Sequence, residues 1–378
     1  MIEGIKKILW IGVLGLFLLP LIQQFYPVKH IPKLNGAFVP AKEPEHTLDA
    51  WFNTEFQQQS QNYLKEQFGF RPFFVRLNNQ LEYDLGYKIN SSEIYLGKDD
   101  YLFRFYNELY KKHTLFRGEA AIKEKIDKLE ALSTYLYANF QTKIITIIPP
   151  GKHYFHEEFL PDLNKGPDSL NNNYKEITKK LEERNLAFID FNKHFSAIKD
   201  AMDYPLYAKS GIHWTMLGAF HAMDSVIRYM EQVEQVDLAN IHLTETQNSD
   251  NWIPDQDIYY TLNLIREWDD LDLQYADLIP DSTGKKPRVT TIGDSYYHAV
   301  TWPSIPDIYF GSKSVFWYYN RAYFNTKNEV LNDKNFKENI ENSDYILLMF
   351  TPINLENFGA GFIEEAYDTY LLKDSLEQ

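Results

Sequence analysis

The heptapeptide VTTIGDS, Val289 to Ser295, decides how this chain is read. Its first four residues are apolar or β-branched, and they stop at a Gly-Asp pair, the pattern of a buried strand that ends in a loop. A serine on the sharp turn after such a strand presents its hydroxyl at the sheet edge, where nearby backbone N–H groups can face an oxyanion. Upstream, KIITII (Lys143 to Ile148) repeats the pattern and runs into Pro149-Pro150-Gly151-Lys152. LAFIDF (Leu186 to Phe191), the segment Ser314 to Tyr319 and YILLMFT (Tyr345 to Thr351) are further strand candidates.

Helical periods alternate with these runs. Ile122, Ile126, Leu129, Leu132 and Leu136 mark a helix over Glu119 to Phe140. A charged helix is predicted over Ser169 to Arg184 and another from about Thr215 to Gln235. Continuous apolar strands alternating with helices predict an α/β fold, a mostly parallel sheet covered on both faces, with ligands beyond the C-terminal strand ends. Three loops leave such ends: PPGK, GDSYY and YYNR. Before the α/β region, Leu48 to Gly86 carries two helical apolar stripes, and Ser91 to Phe103 reads as a hairpin about a GKDD turn.

The 378 residues include 53 acidic and 38 basic ones, a net charge of -15, which argues against a broad nucleic-acid footprint. With 27 Tyr and 26 Phe the chain can bury a large core. The absence of cysteine excludes disulfides, thiolate nucleophiles and Cys-ligated metals. Ile8 to Tyr26 forms a 19-residue run without charge, about 28 Å long as a helix and close to bilayer thickness. Lys6 and Lys7 precede it, and no small-x-small cleavage site follows, so the run reads as an uncleaved anchor with the rest of the chain outside. Residues 27–48, rich in proline, read as a linker. Between Asp250 and Asp281 nine acidic residues face one basic one, Arg266, and the segment reads as a solvated acidic excursion outside the sheet.

For chemistry, Ser295 requires a base, and His213 in Ser210-Gly211-Ile212-His213-Trp214-Thr215 is the candidate, placed just before a helix that Thr215 can cap. Tyr296, Tyr297, Trp214 and Trp302 can stack on a ligand ring or pack the turn. His153 and His156 stand three apart, yet the segment is not HExxH, and no metal is assigned. No cofactor is expected.

Four short motifs in order, Gly97-Lys98-Asp99-Asp100-Tyr101-Leu102-Phe103, Pro149-Pro150-Gly151-Lys152, His213-Trp214 and Gly293-Asp294-Ser295, resemble the SGNH-hydrolase-like family of alginate O-acetyltransferases, AlgJ/AlgX type, and the related DHHW proteins. The resemblance covers about residues 48–351, with the His block before the Ser block. It implies a three-layer SGNH-hydrolase-like domain at 116–351, with an acidic excursion about 237–287. The anchor would then occupy 1–27, a linker with helical and hairpin extension 28–115, and a C-terminal tail 352–378. It implies Ser295 as acetyl-carrying nucleophile and His213 as base, with Asp294, Tyr296, Arg321, Lys152 and Trp214 as oxyanion or substrate-contact candidates. It further implies a polysaccharide acceptor, an acetyl donor supplied through a membrane-bound O-acyltransferase, and an inner-membrane protein whose main domain is periplasmic.

The sequence departs from that family at one position. The family's Asp-x-His-Trp has Gly211 where the orienting aspartate belongs. Three readings follow: another carboxylate substitutes, with Asp203 and Asp190 nearest in sequence; a Ser-His dyad acts alone; or the domain binds polysaccharide without catalysis. An acetyl esterase using the same residues is a further alternative.

Overall fold

The computed structural model describes residues 2–26, 31–36, 41–105, 115–162, 171–248, 253–266, 273–281 and 283–372. Outside them fall linker residues 27–30 and 37–40, the expected helix start at Ser169, and residues 249–252 and 267–272 of the acidic segment. The chain forms two compact units, residues 1–91 with 259–268, and residues 92–258 with 269–378.

The first unit is helical: α1 (Ile2–Phe25), α2 (Leu48–Phe52), α3 (Glu55–Gln67) and α4 (Arg71–Gly86). α1 is long and apolar enough to cross a membrane, and Pro20 lies inside it. Pro72 stands in the first turn of α4, where a missing N–H costs nothing. The Gln80 side-chain oxygen accepts from the Ile265 and Arg266 N–H groups at 3.1 and 3.0 Å, and Asp84 pairs with the Arg266 guanidinium.

The second unit begins with the hairpin β1 (Ile94–Leu96) and β2 (Leu102–Arg104), followed by α5 (Glu119–Phe140), β3 (Lys143–Ile148), α6 (Lys152–Phe155), α7 (Asn173–Glu183), β4 (Phe188–Asp190), α8 (Phe191–Ile198) and α9 (Met216–Glu234). Next come β5 (Asn240–Leu243), β6 (Gln247–Asn248), α10 (Asp257–Leu262), whose residues from Tyr259 on belong to the first unit, β7 (Gln274–Tyr275) and β8 (Leu278–Asp281). The chain closes with β9 (Val289–Gly293), α11 (Tyr296–Thr301), α12 (Ile305–Tyr309), β10 (Val315–Tyr318), β11 (Ala322–Asn325), α13 (Phe336–Glu341), β12 (Tyr345–Met349) and α14 (Phe362–Tyr367).

The main sheet has the order β11-β10-β9-β12-β3-β4, parallel except for the antiparallel edge strand β11. Alternation along each strand divides the core. Ile145, Ile147, Leu347 and Met349 pack under α8, α9 and α11, whereas Ile144, Ile148, Ile346 and Leu348 pack under α5, α7 and α14. This is the predicted sheet covered on both faces. β4 is shorter than LAFIDF suggested, because Asp190 ends it by accepting from the Asn192 N–H at 3.0 Å and starting α8.

Two expected boundaries move. The hairpin groups with the α/β unit rather than with the helical extension, since Leu102 and Phe103 are fully buried and the Leu102 N–H donates to Lys209 O at 2.8 Å. The supposed tail from 352 packs into the core as far as Tyr370. Phe362, Ile363, Ala366 and Tyr370, at helical spacing, are buried in the cluster that holds α5. Between Asn240 and Asp281 lie two small antiparallel ladders apart from the six-stranded sheet, β5 with β8 and β6 with β7.

Candidate active site

At the C-terminal end of β9 the chain must turn within contact of β12. Gly293 permits this, because a Cβ there would lie 2.7 Å from Met349 O. Ser295 follows in the right-handed helical region and opens α11. The residue is half-buried, and its Oγ lies 2.9 Å from His213 Nε2. The other ring nitrogen, Nδ1, lies 2.7 Å from Asp257 Oδ2. A carboxylate here only accepts, so Nδ1 carries the proton and Nε2 is free to accept from the serine hydroxyl.

Asp257 comes from the acidic segment that the sequence assigned to solvent, and that reading is corrected here. Asp255 and Gln256 are buried, and Asp257 opens α10. Asp255 accepts from the Met216 N–H through both oxygens, at 3.0 and 3.1 Å, and so caps α9 alongside Thr215. Asp257 Oδ1 accepts from the Ile212 N–H at 2.8 Å, and Ile258 N–H donates to Ser210 O at 3.2 Å. The segment is thus laid along the histidine loop. Burial alone would raise the Asp257 carboxyl; the facing His213, the Ile212 N–H and the Lys152 ammonium outweigh it and hold the group below the usual carboxylate value.

Gly211 explains why no carboxylate stands two residues before His213. A Cβ at 211 would lie 2.1 Å from the Asp255 carbonyl oxygen, so the position belongs to the incoming loop. Neither carboxylate nearest in sequence substitutes. Asp190 is engaged with Asn192 and with the Tyr174 hydroxyl at 2.8 Å, and Asp203 is exposed. No sequence signal separated Asp257 from its eight acidic neighbours, since the pairing spans 44 residues.

Several expected contact residues prove structural. Asp294 is fully buried and accepts four hydrogen bonds, from the Tyr296 N–H (3.1 Å), the Thr351 N–H (2.7 Å), the Thr351 hydroxyl (2.7 Å) and Asn354 Nδ2 (2.8 Å). It fastens the end of β12 to the nucleophile turn and is corrected as an oxyanion or substrate contact. The Asp294 and Tyr296 N–H groups are taken, by Met349 O and the Asp294 carboxylate; the Ser295 N–H has no acceptor among the described residues. Trp214 is fully buried, its indole donating to Tyr296 O at 3.2 Å. Tyr296 is buried with its ring 4.9 Å from His213, and its hydroxyl donates to Ile212 O at 2.6 Å. Ile212 is therefore held at both its backbone groups, its N–H by Asp257 and its C=O by Tyr296. Lys152, buried beneath the same loop, donates to Lys209 O (2.8 Å) and Gly211 O (2.5 Å). Lys152, Tyr296 and Trp214 position the histidine and are out of reach of a substrate.

Of the candidates, Arg321 and Trp302 remain open to solvent. Trp302 stands edge-on to His213 at 6.0 Å. Arg321 is exposed, its guanidinium without a partner among the described residues, and it lines a 420 Å³ cavity with Tyr318, Tyr319, Asn354, Glu356 and Asn357. That cavity adjoins the nucleophile turn, because Tyr318 pairs with Gly293 and Asn354 holds Asp294. Tyr297 is buried against Phe316.

The family described as "SGNH hydrolase-like domain, acetyltransferase AlgX" matches residues 94–298, more than half of the chain. The chain belongs to this family. Its α/β unit is an SGNH-hydrolase-like fold of AlgX type, as the motifs indicated. Among solved structures it is similar to the O-acetyltransferase domain of Pseudomonas putida AlgJ, with 14% identity, coverage of 73% of this chain and 99% of that chain, and a TM-score of 0.44. It is similar to Pseudomonas aeruginosa AlgX, with 14% identity, coverage of 71% and 68%, and a TM-score of 0.43. Bacillus cereus PatB1 is a third, at 12% identity, coverage of 69% and 97%, and a TM-score of 0.42. No curated protein matches the sequence.

The His153–His156 segment of this AlgX-type domain is buried behind the site. His153 Nε2 meets the Tyr95 hydroxyl at 2.9 Å, and His156 is enclosed by Tyr101, Phe155, Phe159 and Tyr207. Burial depresses His156 from 6.5 to about 4, against an opposing pull from Glu158. The unfolded chain therefore takes up this proton first as pH falls. The neutral imidazole's stabilising contribution is complete above pH 6.5 and is lost on the way down to 4. Between pH 7 and 4.5 the wild type is expected to lose about 2–3 kcal/mol more stability than His156→Phe. Urea unfolding of both proteins at the two pH values measures the difference, and parallel losses would contradict it.

Proposed function

We propose that Ser295, His213 and Asp257 are the catalytic triad of an O-acetyltransferase acting on a cell-surface or exported polysaccharide. The observation that carries this reading is the continuous hydrogen-bonded line from Ser295 Oγ through His213 to Asp257, at 2.9 and 2.7 Å. In the first half-reaction His213 Nε2 takes the Ser295 proton as Oγ attacks the acetyl carbonyl. The Ser295 N–H faces the developing oxyanion, and collapse releases the donor's leaving group, which takes the proton back from His213. In the second, His213 deprotonates an acceptor hydroxyl, which attacks the acetyl-serine carbonyl; the intermediate collapses with cleavage of the Ser295 Oγ–acyl bond, and Oγ takes the proton back from His213. Asp257 holds the imidazole tautomer and stabilises the imidazolium in both.

Arg321 and the rings of Tyr318, Tyr319 and Trp302 would meet the saccharide, the guanidinium suiting a carboxylate or hydroxyls and the rings stacking on sugar faces. α1 would anchor the chain in the inner membrane through residues 8–26, with the main domain periplasmic and acetyl groups supplied by a membrane-bound O-acyltransferase. The reading as a binding protein without catalysis rested on Gly211, and the Asp257 geometry removes its motive.

The test uses the full chain in detergent with p-nitrophenyl acetate and oligosaccharide acceptors. Acetylated oligosaccharide is expected, absent with Ser295→Ala. Free acetate with no acetylated acceptor would make the protein an esterase. A folded wild type that turns over no donor yet binds polysaccharide would overturn catalysis altogether.

A further inference from the structure

The apolar stripes predicted over Leu48 to Gly86 do not close on a core. Among its described residues α3 buries none, and α4 buries only Gln80. At the corner between them runs Phe68-Gly69-Phe70-Arg71-Pro72-Phe73-Phe74. Phe68, Phe73 and Phe74 are 48%, 45% and 42% exposed. Their rings cluster, with Phe74 centred 6.1 Å from Phe68 and 5.6 Å from Phe73. An aromatic patch of this kind facing water is unusual and marks a contact surface.

The same corner is seated against α1. Pro20 and Gln23 are the buried described residues of α1, and Gly69 is buried opposite them. The approach is backbone to backbone, for a Cβ at Gly69 would lie 1.9 Å from Pro20 O. Phe68, Phe70, Phe73 and Phe74 share a 720 Å³ cleft with the α1 face that runs from Val13 to Pro20. With Lys6 and Lys7 at the cytoplasmic headgroups, a helix rising 1.5 Å per residue carries Pro20 about 20 Å up, into the outer half of a hydrocarbon layer about 30 Å thick. Whatever packs on Pro20 shares its depth.

We propose that the Phe68–Phe74 corner inserts into the outer leaflet of the bilayer that α1 crosses, so that the helical unit is a second membrane contact rather than a water-exposed stalk. This rests on the anchor reading of α1. The occupant of the 720 Å³ cleft is lipid acyl chain. Aromatic rings suit the boundary between hydrocarbon and headgroups, and the long Arg71 side chain can reach the phosphates from that depth.

Because the chain has no cysteine, single labels report depth directly. Phe17→Cys, Gln58→Cys, Phe73→Cys and Phe74→Cys, each carrying an environment-sensitive fluorophore, would be reconstituted as full chains in phosphatidylcholine–phosphatidylglycerol vesicles. Quenching by doxyl-labelled lipid would be compared with quenching by aqueous iodide. Labels at 73 and 74 are expected to respond to doxyl lipid at least half as strongly as the label at 17, and to iodide several-fold less than the label at 58. Iodide quenching at 73 and 74 equal to that at 58, with position 17 still quenched by lipid, would overturn the insertion and leave the anchor standing. Lipid-inaccessible labels at 17 as well would overturn both. Labels at 73 and 74 shielded from lipid and iodide alike would assign the patch to a second copy and overturn the proposal.

Discussion

Asp257→Asn is expected to lower acetyl-ester turnover by about 10⁴-fold, the scale found when a triad carboxylate loses its charge. It stays well short of the loss from Ser295→Ala, because a triad carboxylate removed alone costs less than the nucleophile or base it supports. The expectation comes from the tautomer. Asp257 Oδ2 holds the Nδ1 proton at 2.7 Å, while Oδ1 accepts from the Ile212 N–H at 2.8 Å. An amide can present an oxygen to only one of these donors. If it satisfies the backbone, its NH₂ faces His213, Nε2 carries the proton, and Ser295 loses its base. The effect should fall on kcat with little change in KM, and with circular dichroism and melting near wild type. A loss below about tenfold would mean that Ser295 and His213 act as a dyad, and would remove Asp257 from the mechanism.

Gly211→Asp, which restores the family's Asp-x-His-Trp spelling, is expected to destroy activity rather than enhance it. The new Cβ would lie 2.1 Å from Asp255 O, well inside contact, and that neighbour is backbone, which cannot swing away. The loop bearing Asp255 and Asp257 must withdraw, taking the working carboxylate with it. Displacement of about 1 Å at such a site costs on the order of 10²-fold in rate, and overpacking against backbone costs about 3 kcal/mol of stability. Gly211→Ala should fail in the same way, which separates the clash from the charge. The decisive comparison is Gly211→Asp combined with Asp257→Asn. Recovery of turnover in that pair would show that a carboxylate at 211 can reach His213, contrary to the packing described here.

Local pattern was enough for the architecture. The strands within VTTIGDS and KIITII are buried on both faces, so their residues are apolar or β-branched almost throughout, and a parallel sheet under two helical layers follows from that alone. The period of Ile122, Ile126, Leu129, Leu132 and Leu136 marked α5 because one helix face meets one sheet face. Ser295 and His213 were legible for a related reason: each sits at a turn whose neighbours, Gly293 and Thr215, have a local backbone task.

Asp257 was not legible, because nothing local requires it to be there. Its partners lie 44 and 45 residues away, and the acidic run around it is what a solvated loop also looks like. Gly211 carried half of the information, as a missing side chain whose space the Asp255 carbonyl fills, but a vacancy does not name its occupant. The same limit applies to Lys152, Tyr296 and Asp294. Their types suit catalysis and framework alike, and long-range burial, not residue type, made them framework. Strands and helices are selected by interactions along the chain, whereas a triad is assembled by packing between segments far apart in it, and only the folded chain brings those together.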